Sequence, residues 1–153
     1  MNDWWASLKH GGLLLSPQRV LEHFSAPLDP LPAWAADRLR GDILRLDDPG
    51  ADRDAAGALI TTALETVCGF NDEAGGQWQR GNAVEARFGR RSLTGEMVKP
   101  RRVWLGPHGA ALPVFVDDEP RLGIGRSRRA ISRLLEWCRG TGHPLALLTN
   151  ARQ

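Results

Sequence analysis

The chain has 153 residues, of which 42% are hydrophobic and 25% are charged, and its formal net charge at pH 7 is +2. These values are typical of one globular domain with its own core. No run approaches the roughly 18 apolar residues that span a bilayer, and the apolar stretch Gly11 to Ser16 is too short for a signal peptide. The sequence therefore predicts a cytoplasmic protein with no membrane partner.

The first half of the chain reads as helices. Ser16 as N-cap and Pro17 at the first helical position predict one helix start, and apolar spacing predicts further helices over about 32–46 and 52–67. The residues expected to face the core are Leu21, Phe24, Trp34, Leu39, Ile43, Leu59, Ala63 and Val67.

From about Ala83 the apolar period changes to that of strands. The segments AVEARF, RRVWL and LPVFVDD are expected to be strands, with GPHGA as a turn, and RLGIG is expected to add a short strand. A basic helix follows, RSRRAISRLLEWCRGTG, and PLALL closes the chain as a strand. The apolar stripe of the basic helix is expected to be Ile131, Leu134, Leu135 and Cys138. The order predicts an α+β or α/β fold, with a strand–helix–strand piece able to form a parallel pair.

Charge divides the chain into two parts. Residues 1–75 carry 6 Lys+Arg and 12 Asp+Glu, for a net −6, whereas residues 76–153 carry 14 and 6, for a net +8. Only Lys9 and Lys99 among the basic residues are lysine, and the arginine fork suits phosphate. We therefore predict an acidic helical part, 1–75, and a basic strand–helix–strand part, 76–153, within one compact unit.

The two cysteines, Cys68 and Cys138, fall on the apolar sides of predicted helices, so we expect reduced, buried thiols. No Cys/His pair has the spacing of metal ligands, and no metal site of that kind is expected. A different candidate is the acidic triplet of Asp117, Asp118 and Glu119 at the end of a strand. Three carboxylates there could hold Mg²⁺, or they could form an acidic turn before Pro120.

Arginine clusters are the candidates for nucleic-acid contact. The segment from Leu122 to Arg129 leads through two glycines into a helix N-terminus, where free N–H groups and arginines bind phosphate; the alternative is a solvated basic helix face. RRVW and RFGRRS interleave arginine with an aromatic, which suits a phosphate backbone or an ordinary strand with a polar face. The predicted DNA-binding residues are Arg101, Arg102, Arg126, Arg128, Arg129 and Arg133.

The segment RLGIGRSRRAISRLLEWCRGTGHPLALLTN resembles the N-terminal part of large Eco57I-like restriction–modification proteins, which join a nuclease-like domain to an adenine methyltransferase. In that family a helix leads into a buried strand that ends in Leu-Thr-Asn, matched here by Leu148, Thr149 and Asn150, and Ala151 stands where glycine is usual. The resemblance covers roughly residues 84–150. It implies that the chain is a fragment whose continuation would carry the methyltransferase and its S-adenosylmethionine site.

The fold that the resemblance implies is restriction-endonuclease-like, with N-terminal helices followed by a mixed sheet and flanking helices. Nucleases of this family carry an acid on one strand and Glu-x-Lys on the next, and the carboxylates bind Mg²⁺. The resemblance puts Asp117 or Asp118 in the place of the first acid and Arg126 in the place of the lysine. Ile124 stands where the glutamate would be, which implies a degenerate nuclease fold that still binds DNA.

Three functions follow as alternatives. The first is a DNA-binding, degenerate nuclease-like domain of a bacterial restriction–modification or phage-defence methyltransferase, with DNA and the downstream methyltransferase domain or other defence-system subunits as partners and no cofactor in this fragment. The second is an active Mg²⁺-dependent endonuclease, in which Glu85 or Glu96 supplies the missing carboxylate. The third is a protein-docking module with no nucleic-acid role.

Overall fold

The computed structural model describes Glu22 and residues 30–50, 53–119, 121–123 and 128–152. The predicted helix at Ser16, with Leu21 and Phe24, lies outside the described residues, as do Ile124 and Arg126. The description below concerns the unit that begins at Ala33. Within the described residues, no helix has the length and apolar character needed to cross a membrane.

Two helices open this unit, as predicted. Helix α1 spans Ala33–Asp47 and helix α2 spans Arg53–Thr61, continuing as a π-helical turn over Thr62–Val67. The chain breaks between them at the predicted turn, where the Gly50 N–H donates to the Asp48 carboxylate at 2.9 Å.

The predicted inward face of α1 is largely wrong. Trp34 is 64% exposed and Ile43 is also exposed, whereas Ala35 and Leu46 are buried. Leu39 is half-buried, as predicted, and packs with Leu46 against Ala55 and Leu59 of α2. The face of α1 that meets α2 is therefore the one that carries Leu39 and Leu46, and Trp34 and Ile43 lie outside it.

The π-helical turn explains why the predicted burial of Val67 and Cys68 is wrong. The Cys68 N–H donates to the Ala63 carbonyl at 2.9 Å, a bond across five residues rather than four. The wider turn rotates each residue by less than an α-helix does, so the stripe that begins at buried Leu59 drifts away from the core. Val67 and Cys68 are therefore exposed, and the expectation of a buried thiol is wrong for Cys68.

Six strands follow in chain order: β1 Gln77–Arg80, β2 Arg90–Arg91, β3 Met97–Val98, β4 Arg102–Leu105, β5 Ala111–Val116 and β6 Leu147–Thr149. Four of them form a mixed sheet in the order β1-β4-β5-β6, in which β5 and β6 are parallel and the other pairs antiparallel. Strands β2 and β3 form a separate antiparallel hairpin. Helix α3, Arg128–Thr141, connects β5 to β6, since a parallel pair needs a crossover. The α+β class with a mixed sheet and a parallel closing pair is confirmed.

Some of the strand predictions are confirmed and others are wrong. RRVWL and LPVFVDD are confirmed as β4 and β5, and the closing strand is confirmed as β6. AVEARF is wrong, because two short 3₁₀ turns at Gly81–Ala83 and Ala86–Phe88 replace it. RLGIG is wrong where it is described, because Arg121–Gly123 forms a bend and turn rather than a strand.

The sheet has a core on each side. On one side, which we call the α2 side, Trp104, Leu112 and Val114 pack with Ile60 and Leu64. On the other, which we call the α3 side, a second set packs together: Val84, Phe88, Val103 and Trp137. Successive strand residues point to opposite faces, and this separates neighbouring residues of β4 between the two cores.

The predicted apolar stripe of α3 is only partly correct. Leu134 and Cys138 are half-buried, but Ile131 and Leu135 are exposed. The buried residue is Trp137, whose indole N–H donates to the Phe88 carbonyl at 2.8 Å. The large indole sets the rotation of the helix and turns its neighbours outward.

Candidate nucleic-acid interface

The β2–β3 hairpin and α3 together form the most basic surface of the described unit. Residues 86–99 and 128–141 hold eight basic and two acidic side chains, for a net charge of +6. We call this the basic surface; its basic members are Arg87, Arg90, Arg91, Lys99, Arg128, Arg129, Arg133 and Arg139.

Both acidic residues of this surface hold the hairpin onto α3. The Glu96 carboxylate pairs with Arg133 at 2.6 Å, and the Glu136 carboxylate accepts from the Leu93 N–H at 2.7 Å. Arg90 donates to the Gly140 carbonyl, in the last turn of α3, where the helix dipole favours a cation. The acids are thus engaged in internal contacts, and the surface keeps an excess of cations.

Three arginines of α3 are exposed and have no side-chain partner among the described residues. In the part of the chain that the structure describes, the side chains of Arg128, Arg129 and Arg139 make no hydrogen bond or ion pair. Arg129 and Arg133 are one turn apart on the side next to the hairpin, about 5–6 Å between their Cβ atoms. The guanidinium groups of Arg128, Arg129 and Arg139 can bind phosphate oxygens without breaking a contact within the described residues.

The two neighbouring arginines at the start of β4 have different surroundings. Arg101 is exposed, whereas Arg102 is only 9% exposed and points to the α2 side. Its NH1 donates to the Thr61 hydroxyl at 2.8 Å. Burial, and then the nearby charge of Arg80, lower the pKa of Arg102. The fold itself uses this guanidinium, so Arg102 does not belong to the basic surface.

A polar network between α1, α2 and the sheet was not foreseen from the sequence. Thr62 donates to Asp42 at 2.6 Å and accepts from Arg38 at 3.4 Å. Glu65 pairs with Arg80, which lies directly opposite Arg102 across β1 and β4. Without Glu65, two facing arginines would destabilise the sheet. The sequence signal for this network is that Arg102 alternates with Val103 in β4 and so falls on the same buried face as Trp104.

The acidic triplet lies at the carboxyl end of β5. Asp118 pairs with Arg53 at 2.7 Å, and both side chains are exposed. Asp117 accepts from the Glu119 N–H at 3.4 Å. Among the described residues, no three His, Cys, Asp or Glu side chains converge in a way that could hold a metal ion.

The two predicted suppliers of a further carboxylate, Glu85 and Glu96, make contacts elsewhere. Glu85 accepts from Gln79 at 2.7 Å, and Gln79 is in register, through β4, with Pro113. Pro113 precedes Asp117 by four residues, about 13 Å along the strand, and β1 lies two strands, about 10 Å, from β5. Glu96 is engaged by Arg133 on the basic surface.

The Leu-Thr-Asn segment connects the ends of the two parallel strands. The Thr149 carbonyl accepts from the Asp117 N–H at 2.9 Å, and the buried Asn150 donates to the Glu119 carbonyl at 2.9 Å. Ala151 has φ +63°, a backbone conformation that favours glycine. The segment therefore positions the acidic triplet.

An apolar groove runs beside the edge strand β6. Its volume is about 280 Å³, and its lining includes Leu59, Ala63, Leu64 and Leu147. It lies on the α2 side of the sheet, away from the basic surface.

No protein-family model, curated protein or solved structure matches this chain.

Proposed function

We propose that this chain is a DNA-binding, degenerate nuclease-like domain of a cytoplasmic restriction–modification or phage-defence DNA methyltransferase. The observation that supports it most is the basic surface, with its net charge of +6 and three exposed arginines that have no side-chain partner among the described residues. The Leu-Thr-Asn resemblance supplies the parent protein class. Partners in this proposal are DNA and the downstream methyltransferase domain or other defence-system subunits.

The basic surface has the charge and the exposed arginines that a DNA backbone requires. A duplex carries one negative charge per about 1.7 Å of its axis, and cations that bind it release condensed counterions. The basic surface offers arginines on a helix and a hairpin that are fixed to each other by Glu96 and Glu136. A fixed array loses less conformational entropy on binding than separate flexible side chains do.

Cleavage is not part of the proposal. The exposed Asp118 pairs with Arg53, Ile124 stands where the resemblance puts glutamate, and Arg126 replaces the lysine. Mg²⁺ would be a cofactor only if cleavage remained, and methyl transfer with S-adenosylmethionine would belong to a domain that follows this one.

Binding is tested by fluorescence anisotropy of a labelled duplex from about 50 to 200 mM salt. Replacing Arg128→Ala with Arg129→Ala should weaken binding and reduce the slope of log affinity against log salt by about 1.8, which is 0.9 for each lost phosphate contact. The matched control is Arg40→Ala with Arg45→Ala, which removes two exposed arginines from α1. Equal slopes for the two folded double variants would refute the proposal.

The nuclease alternative has its own test. Supercoiled plasmid is incubated with Mg²⁺ and either the wild-type chain or the Asp117→Asn/Asp118→Asn variant. The proposal expects no Mg²⁺-dependent nicking from either. Nicking that the double variant abolishes would establish the active endonuclease instead.

A protein-docking module is the second candidate, favoured by the apolar groove next to the edge of β6. An exposed apolar groove is a surface on which a partner protein can bury apolar side chains. If this candidate is correct, affinity-purified protein brings down a protein partner and no DNA, and the arginine variants leave that recovery unchanged.

A further inference from the structure

The tip of the β2–β3 hairpin carries the most exposed large hydrophobic residue of the described chain. Leu93 is 96% exposed, and Met97 on the returning strand is also exposed. Turn positions normally favour small or polar residues, so a leucine at this position is unusual for a purely structural turn.

The turn that presents Leu93 is closed by several hydrogen bonds. The Gly95 N–H donates to the Ser92 carbonyl at 2.9 Å, and the Ser92 N–H donates to the Glu96 carbonyl at 2.8 Å. The Ser92 and Thr94 hydroxyls lie 2.8 Å apart, and Gly95 supplies the positive φ of +83° that the turn requires. The Leu93 N–H itself is fixed to Glu136 of α3, so the side chain projects from a rigid support.

The surroundings of this leucine are cationic. Arg90 and Arg91 form β2, Arg91 donates to the Gly95 carbonyl of the turn at 3.1 Å, and Arg133 lies next to the hairpin through Glu96. An apolar pocket on a protein would not by itself attract these charges. A nucleic-acid groove does, because phosphates line both of its walls and base edges lie at its floor.

We propose that the β2–β3 hairpin enters a groove of duplex DNA, with Leu93 as an apolar wedge at a base step and the arginines on the flanking phosphates. This inference rests on the proposed function and specifies its mode. Minor-groove proteins insert leucine, isoleucine, methionine or phenylalanine in this way, partly unstacking a step and bending the duplex.

Duplex rather than single-stranded DNA follows from the position of the aromatic residues. Proteins that bind single strands stack bases on exposed aromatic rings. Phe88 and Trp104, the aromatic members of the two arginine–aromatic segments, are both buried in the cores. Neither ring is therefore exposed for a base to stack on.

The test compares Leu93→Ala with Leu44→Ala, the same change at an exposed leucine of α1, outside the basic surface. Affinity is measured by anisotropy, and bending by energy transfer between dyes at the two ends of a short duplex. Leu93→Ala should lower affinity roughly tenfold, which corresponds to about 1.4 kcal/mol, and reduce the bend. Its salt slope should stay unchanged because no charge is lost. Leu44→Ala should alter none of these.

The possible outcomes separate this inference from the proposed function. If Leu93→Ala binds and bends DNA as the wild type does while Arg128→Ala with Arg129→Ala weakens binding, the wedge is refuted and the DNA-binding function stands. If the wild-type chain does not bind duplex even at low salt, both are refuted. Tighter binding to a single strand of the same length would refute the duplex mode. Thermal melting should be equal for all three proteins, since both leucines are exposed.

Discussion

The two sides of the sheet use arginine in different ways. On the α2 side, residues 33–67 carry seven acidic and four basic side chains, and Arg80 and Arg102 are held by Glu65 and Thr61. On the α3 side, cations exceed acids by six, and both acids hold the hairpin to the helix. Composition alone does not distinguish these two uses, because the difference lies in burial and in the available partners.

This difference shows what to expect from substitutions on each side. An arginine that the fold has already paired contributes to stability, and its removal leaves a partner unsatisfied. An exposed arginine without a partner contributes almost nothing to stability and is available to a ligand. The predictions below test this distinction and the two cores that support it.

The largest expected effect is that of Trp137→Ala in the core of the α3 side. The substitution removes a buried indole that contacts Phe115 and leaves the Phe88 carbonyl without its donor. We expect a loss of about 3–5 kcal/mol of unfolding free energy, measured by denaturant unfolding. The control is Trp34→Ala on α1, which is exposed and should change stability by less than about 0.5 kcal/mol. Comparable losses in both variants would contradict the assigned packing.

Two glycine substitutions test the α2 side with opposite signs. A Cβ at Gly76 would lie 2.3 Å from the Trp104 ring, whereas a Cβ at Gly41 in α1 would meet nothing within 4 Å. Gly76→Ala should therefore cost about 1–3 kcal/mol by overpacking. Gly41→Ala should stabilise by about 0.5–1 kcal/mol through helix propensity. Thermal melts of both variants are sufficient, and a stabilising Gly76→Ala would mean that Trp104 is placed elsewhere.

The adjacent arginines of β4 give the sharpest comparison of the two uses. Arg102→Ala should lower stability by about 1–3 kcal/mol, because Thr61 loses its donor and the buried stem leaves a gap. Its effect on the salt dependence of DNA binding should be nil. Arg101→Ala should leave unfolding unchanged, because the side chain is exposed. It should reduce the salt slope of binding by about 0.9, the effect of one lost phosphate contact. A loss of stability in Arg101→Ala together with a reduced salt slope in Arg102→Ala would contradict this assignment.

The smallest effect is expected at the acidic triplet. Asp118→Asn breaks an ion pair with Arg53 in which both side chains are exposed. Pairs of this kind contribute about 0–1 kcal/mol, and salt screens them. Unfolding measured at low and at high salt should show a small difference that disappears at high salt. A loss that persists at high salt would show that Asp118 has a buried role that its exposure does not suggest.

Local sequence signals predicted much of this fold. The helices near 32–46 and 52–67, the strands β4 and β5, and the parallel closing strand all follow from apolar periods and turn residues that act within a few residues. The rotation of the helices was not predictable in this way. Trp34 is exposed because α1 packs on α2 through the face that carries Leu39 and Leu46. Ile131 and Leu135 are exposed because Trp137 takes the core position of α3.

The candidate site was predictable in its chemistry but not in its membership. Arginine-rich composition identified α3 as the basic element, yet the contribution of Arg90, Arg91 and Leu93 depends on a hairpin that packs on α3 through long-range contacts. The sequence predicts Arg102 as a DNA-binding residue, but both faces of the sheet are covered by a core. The alternation of residues along β4 does not tell which face an arginine lies on or whether that face is buried. The π-helical turn, which moves Val67 and Cys68 outward, has no signal in apolar spacing.

The most direct test of the central claim is amide hydrogen exchange of the wild-type chain, with and without a saturating DNA duplex at low salt. The account predicts added protection in the hairpin, 90–98, and in α3, 128–141, and no change in α1 and α2, 33–67. Protection confined to 33–67 and the β6 edge, or no protection anywhere, would contradict the assignment of the α3 side as the DNA-binding side.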